Sequence, residues 1–158
     1  MPIPLHDYLF KNRTKAIKML QDLVRIPTVN PPGEGYAQMA DLLCQICRKI
    51  GLQVEVHVVA DNVVKSAMGV TDWPRLNILA RWDVGADKTV HFNAHYDVVP
   101  AGGQWKYSNP FNPVMYGDYL YGRGTADMKG SIVALLTALD ALKKCRLEPA
   151  FNIECSFT

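Results

Sequence analysis

The alternation of apolar and polar positions divides the chain into helices and strands. Ile17, Leu20 and Val24 recur at helical spacing ahead of Pro27, which predicts a first helix over residues 14–26. Residues 28–34 (Thr-Val-Asn-Pro-Pro-Gly-Glu) read as a loop. A second helix is predicted to run to about Ile50, with Gly51 as its left-handed cap and Ala37, Ala40, Cys44 and Cys47 along one apolar face. Leu52, Val54, Val56 and Val58 then alternate with Gln53, Glu55 and His57, the mark of a half-buried strand that leaves His57 on the wet side. Residues 60–75 show no period and are expected to be irregular. Strands are predicted at 76–82 and 89–95, and the polar turn at 85–88 suggests that they form a hairpin. A long irregular segment from Val98 to Gly124 leads to an apolar helix over Met128–Lys144 and a final strand over Phe151–Phe157. Irregular segments of that length usually carry function. Helices and strands intermix, so the expected class is α/β, a mixed sheet flanked by helices.

Composition narrows the field. With 158 residues and 49% apolar content the chain is long enough for one domain with a core, taken here as 1–158. A formal charge of +2, without basic runs, argues against nucleic acid as a partner. No apolar run approaches the roughly 20 residues that cross a bilayer, and no secretory signal precedes the first helix, so no membrane association and a cytoplasmic location are expected. Cys44 and Cys47 form a C-x-x-C pair. Its position inside a helical pattern, with no second pair to answer it, favours a packing role over redox or metal chemistry.

Two segments carry candidate chemistry. In residues 91–100 (His-Phe-Asn-Ala-His-Tyr-Asp-Val-Val-Pro), Val90, Phe92 and Ala94 face one way, and His95 and Asp97 lie two apart at a strand end. A carboxylate so placed reaches one imidazole nitrogen and leaves the other for a metal. In residues 121–130 (Tyr-Gly-Arg-Gly-Thr-Ala-Asp-Met-Lys-Gly), Asp127 stands at the entrance to the apolar helix. Taken alone it could be an N-cap, and Gly122 and Gly124 could serve a tight turn. Three other motifs fail on spacing. The Gly122 run lacks the third glycine of a dinucleotide fingerprint, Lys129-Gly130-Ser131 has the wrong order for a phosphate loop, and no Gly-x-Ser-x-Gly elbow exists.

Together, Ala94 to Pro100, Trp105, Pro110-Phe111 and Tyr121 to Gly130, with Pro27-Thr28 and residues 30–33 before them, resemble the acetylornithine deacetylase, succinyl-diaminopimelate desuccinylase, aminoacylase and carboxypeptidase G family of dizinc metallohydrolases. The resemblance implies the N-terminal part of a zinc-exopeptidase-type catalytic domain. It makes His95 a ligand of one zinc, Asp127 a carboxylate bridging two zinc ions, and Asp97 the group that orients His95; cobalt accepts the same donors. It further implies zinc-dependent hydrolysis of an amide bond by a metal-bound water in the full-length form, with a small N-acyl amino acid or peptide as substrate. In that family a general-base glutamate and the remaining ligands follow the strand matching Phe151–Phe157, and a dimerisation domain makes a homodimer of the full-length form. The expectation is therefore of a truncated catalytic domain, inactive by itself. The alternative is a non-catalytic fragment acting at most as a metal- or partner-binding module. Glu154 lies ahead of the general-base position and is expected to be solvated or hydrogen-bonded. Arg123 could meet an acidic group or brace its loop.

Overall fold

The computed structural model describes residues 4–69, 73–107 and 109–158. In chain order the elements are α1 (Leu5–Arg25), α2 (Tyr36–Ile50), β1 (Gln53–Val58), α3 (Asp61–Met68), β2 (Leu76–Trp82), β3 (Thr89–Ala94), β4 (Val114–Tyr116), β5 (Tyr119–Tyr121), α4 (Lys129–Lys144) and β6 (Asn152–Phe157). The main sheet runs β1-β2-β6-β3. β1 and β6 lie antiparallel to β2, whereas β3 is parallel to β6, so the sheet is mixed as expected.

Helix α1 begins nine residues earlier than its apolar period suggests. Its added first turns are anchored from outside the helix, where the Tyr8 hydroxyl donates to Asp140 Oδ2 of α4 at 2.7 Å. Ile17 is exposed, and the buried face centres on Leu23 and Val24 instead. The helix stops at Ile26, which is extended because a following proline disfavours the helical region. Helix α2 ends as predicted, on a left-handed Gly51 (φ 91°). Gly51 N–H bonds to Arg48 O and Leu52 N–H to Cys47 O, the paired bonds of a Schellman cap. Ala37 is exposed, and the buried face is formed by Met39, Ala40, Leu43, Cys44, Cys47 and Ile50. All four cysteines are free and buried, and burial pushes the Cys47 thiol up to about 12, far from the thiolate that redox or metal chemistry needs.

Three expectations are corrected. The stretch 60–75 contains α3, a short helix with Val64 as its buried anchor; the expectation also covered residues 70–72, outside the described residues. The strands at 76–82 and 89–95 do not pair as a hairpin, because β6 inserts between them and bonds to both. The segment 98–124 holds the β4–β5 hairpin, turned through Gly117 at φ 59°.

The core lies between one face of the sheet (Ile78, Ala80, Ile153, Cys155, Phe157) and helices α1, α2 and α4. The other face is polar. There Glu154 accepts from Arg81 Nε at 2.6 Å and pairs with His91 Nδ1 at 2.8 Å, the hydrogen-bonded role expected of it. The hydrogen bond from Arg81, then that from His91, hold the Glu154 carboxyl below its ordinary value of 4.5. A carboxyl depressed on folding stabilises above its unfolded value and loses that contribution as pH falls through its folded one. The urea midpoint of the parent should therefore fall towards that of Glu154→Gln as the pH drops below 4.5. A gap between the two that stays constant across the acid range would rule out this linkage.

Candidate active site

Residues 95–98 leave β3 and run between two supports. On one side Tyr96 N–H donates to Thr158 O, just past β6. On the other, residues 28–30 run parallel to them: Val98 N–H bonds to Thr28 O, Asn30 N–H to Val98 O, and Thr28 Oγ1 donates to Tyr96 O at 2.5 Å. Tyr96 is the buried pin of this segment. Its hydroxyl donates to Leu76 O at 2.6 Å, and its ring meets Tyr36 edge-on at 5.0 Å. With Tyr96 turned inward, His95 and Asp97 on either side of it project outward, because extended backbone alternates its side chains.

The two expected partners do meet. His95 Nδ1 lies 2.9 Å from Asp97 Oδ1, while Asn30 Nδ2 donates to the other carboxylate oxygen at 3.2 Å. Asn30 is thus a positioning residue that spacing did not reveal; the Asn-Pro-Pro-Gly loop was its only signal. Across the site His95 Nε2 lies 3.2 Å from Asp127 Oδ1. Burial opposes charge on His95, but the Asp97 carbonyl and carboxylate, together with Asp127, outweigh it and raise its pKa above 6.5. Both ring nitrogens thus face carboxylate oxygens, an arrangement that favours the doubly protonated ring.

Asp127 is not the N-cap of α4. That position is held by Met128, with no side-chain capping bond, and the Asp127 carboxylate is 89% exposed. Met128 instead ties the two segments together, its sulfur accepting from His95 N–H at 3.3 Å. The next residue, Lys129, is wholly buried and donates from Nζ to Leu23 O (3.0 Å) and Ile26 O (2.8 Å), closing the C-terminal end of α1. Burial lowers its pKa to about 7. Nothing in the pattern marked Lys129 for this role, because its acceptors lie more than a hundred residues away. Gly124 turns the loop at φ 84°, and a Cβ there would come 2.7 Å from Val98 Cγ1. The glycine thus lets this loop lie against the His95–Val98 segment.

Two depressions flank the His95–Asp97 pair. One, about 250 Å³, is lined by Val99, Arg123, Thr125 and Asp127 together with the pair. The other, about 350 Å³, reaches past Tyr36 and Arg75 to Val64 of α3. The donor set of His95 Nε2 and the Asp127 carboxylate is one that zinc accepts, but a zinc ion takes about four ligands. Among the described residues no group of three or more His, Cys, Asp or Glu side chains is arranged to hold a metal ion.

Residues 91–158 match the model of peptidase family M20/M25/M40. The chain is also 33% identical over 149 residues to an uncharacterized metallohydrolase of Methanocaldococcus jannaschii, covering 90% of this chain and 35% of that protein. The chain belongs to the M20 metallohydrolases. To a succinyl-diaminopimelate desuccinylase of Shewanella piezotolerans this M20 chain is 35% identical over 137 residues, 84% of its own length and 31% of the relative's. Its fold matches that of the di-peptidase Dug1p from Saccharomyces cerevisiae, with a TM-score of 0.84 at 21% identity over 97% of this chain and 33% of the other. The chain spans about a third of the length of the curated relatives it matches. Among its described residues no helix is long and apolar enough to cross a membrane.

Proposed function

We propose that this chain contributes the front of a metal-dependent amidohydrolase or peptidase site, with His95 and Asp127 as metal donors and Asp97 as the residue that orients His95. The observation that carries this is the line Asp97–His95–Asp127, in which one ring nitrogen is held by a carboxylate while the other faces a second carboxylate, which is exposed. A carboxylate behind a ligating imidazole fixes its tautomer and makes it a stronger donor. When bound, zinc supplies Lewis acidity and lowers the pKa of water. Asp97, steadied by Asn30, holds the Nδ1 side of the ring, so that Nε2 is turned towards Asp127. In the full-length form the substrate would be a small N-acyl amino acid or a peptide, and residues 1–158 would be the N-terminal portion of the catalytic domain. The shortage of converging donors among the described residues favours a second reading for the chain by itself, that it binds metal weakly and does not turn substrate over.

Zinc titration of the purified chain, followed by calorimetry, tests the assignment. Binding is expected to weaken at least ~10-fold in Asp97→Ala, the range seen when an outer carboxylate is lost. It should be abolished in His95→Ala and in Asp127→Ala. Equal zinc uptake by the parent and His95→Ala would remove His95 from the donor set.

A further inference from the structure

Helices α1 and α2 each pack on α4, and a groove of about 400 Å³ lies between them with α4 beneath. It shares no lining residue with the two depressions beside His95. Its apolar walls are Ala16 and Met19 of α1 and Leu42 and Ile46 of α2, all half-buried against the core. Charge is spread unevenly along it. Of the two acids in the lining, Asp22 is already paired with Lys18 at 2.9 Å and Arg25 at 2.7 Å, and Asp140 accepts from the Tyr8 hydroxyl at 2.7 Å. The C-terminal ends of α2 and α4 meet, because Lys143 Nζ donates to Gly51 O at 3.2 Å. Lys143 is thereby engaged, and its ammonium also lies 4.0 Å from the Trp82 ring centroid. Lys49 and Lys144 stand at the same two helix ends and line the groove, as does Lys15 of α1. Among the described residues these three lysines form no ion pair. The groove thus joins apolar walls to an excess of uncompensated cations.

We propose that this groove binds the anion of a free medium-chain fatty acid, with its alkyl chain along Met19, Leu42 and Ile46 and its carboxylate among Lys15, Lys49 and Lys144. The volume falls within the ~300–1,000 Å³ of small-molecule sites, which combine apolar walls with a few polar groups. An alkyl chain gains in proportion to the apolar area it removes from water. An ammonium on a flexible four-carbon stem can lay that stem along the wall and swing its head to a carboxylate. Walls without cations would take a neutral chain as readily, and cations without walls would take any anion. The inference is independent of the proposed function, because none of these residues belongs to the Asp97–His95–Asp127 line.

The chain is titrated separately with octanoate, hexanoate, acetate and neutral octanol, while NMR follows the Met19 and Ile46 methyl signals. Octanoate should shift both signals and bind at least ~10-fold more tightly than octanol, as expected for hydrogen bonds between charged groups. Affinity should rise roughly 4-fold per methylene from hexanoate to octanoate, and acetate should leave both signals unmoved. Lys49→Gln combined with Lys144→Gln should remove most of the preference for octanoate over octanol. Both lysines are exposed, so this variant keeps the core intact. His95→Ala should bind octanoate as the parent does. Equal binding of octanoate and octanol, no gain with chain length, or an undiminished preference in the double variant would each overturn the proposal. So would a response to an acidic amphipathic helical peptide with none to octanoate, which would assign the groove to a protein partner. The ligand comparison uses the unaltered chain and holds whatever the variants do.

Discussion

Phe157→Ala is expected to cost about 4 kcal/mol, within the range for emptying a core phenylalanine site, and to lower the melting temperature by ~10 °C for a domain of this size. Phe157 is completely buried and lies in register with Ile78 on one side and Ala94 on the other. These cross-strand neighbours belong to β2 and β3, whose backbones are fixed by ladder bonds to β6, so they cannot collapse to fill the space. The loss should also reach the site. Thr158, the next residue, accepts from Tyr96 N–H and donates to Ala94 O, and these bonds help to hold the segment that carries His95 and Asp97. Thermal unfolding, with zinc titration of the same variant, checks both parts. A loss below ~1 kcal/mol would mean that the site relaxes easily.

Gly130→Ala sets two effects against each other. Alanine in a helix gains about 1 kcal/mol over glycine. At this position, however, a Cβ would overlap the Thr125 carbonyl oxygen, a backbone atom and not the tip of a flexible side chain. Thr125 is held through its amide and its hydroxyl, which donates to Gly122 O at 3.0 Å. Relief therefore requires moving the whole 122–127 turn. Overpacking of this kind typically costs 1–3 kcal/mol and sometimes more, so a net loss of ~2 kcal/mol is expected, together with weaker zinc uptake through displacement of Asp127. A variant as stable as the parent would show that the turn yields freely.

How far each element was legible depended on how local its cause is. Helix α4 and strand β6 announce themselves because their periods are uninterrupted and one face of each enters the core. Helix α3 left no such trace, since Val64 is its one buried side chain among those described. The sheet order was misread for a related reason. The polar turn after β2 makes a hairpin with β3 the obvious local solution, and only the later arrival of β6, bonded to both, decides otherwise. In the site, the His95–Asp97 contact follows from two-residue spacing in extended chain, and the structure brings them within 2.9 Å. Asp127 was singled out by motif; its approach to His95 depends on Met128 and Gly124, whose contacts are long-range. Asn30 and Lys129 were not legible as supports because each acts on a partner far along the chain.

The place of β6 between β2 and β3 also governs the order of assembly. β1 and β2, joined through α3, can pair early as the chain emerges during synthesis. β3 then follows with no strand to join until some sixty residues later, when β6 appears and zips to both neighbours at once. Contacts of such sequence separation slow folding and leave apolar strands open to other chains in the interval. Val90 and Phe92, still partly exposed in the finished fold, are where a chaperone or a neighbouring nascent chain would first take hold.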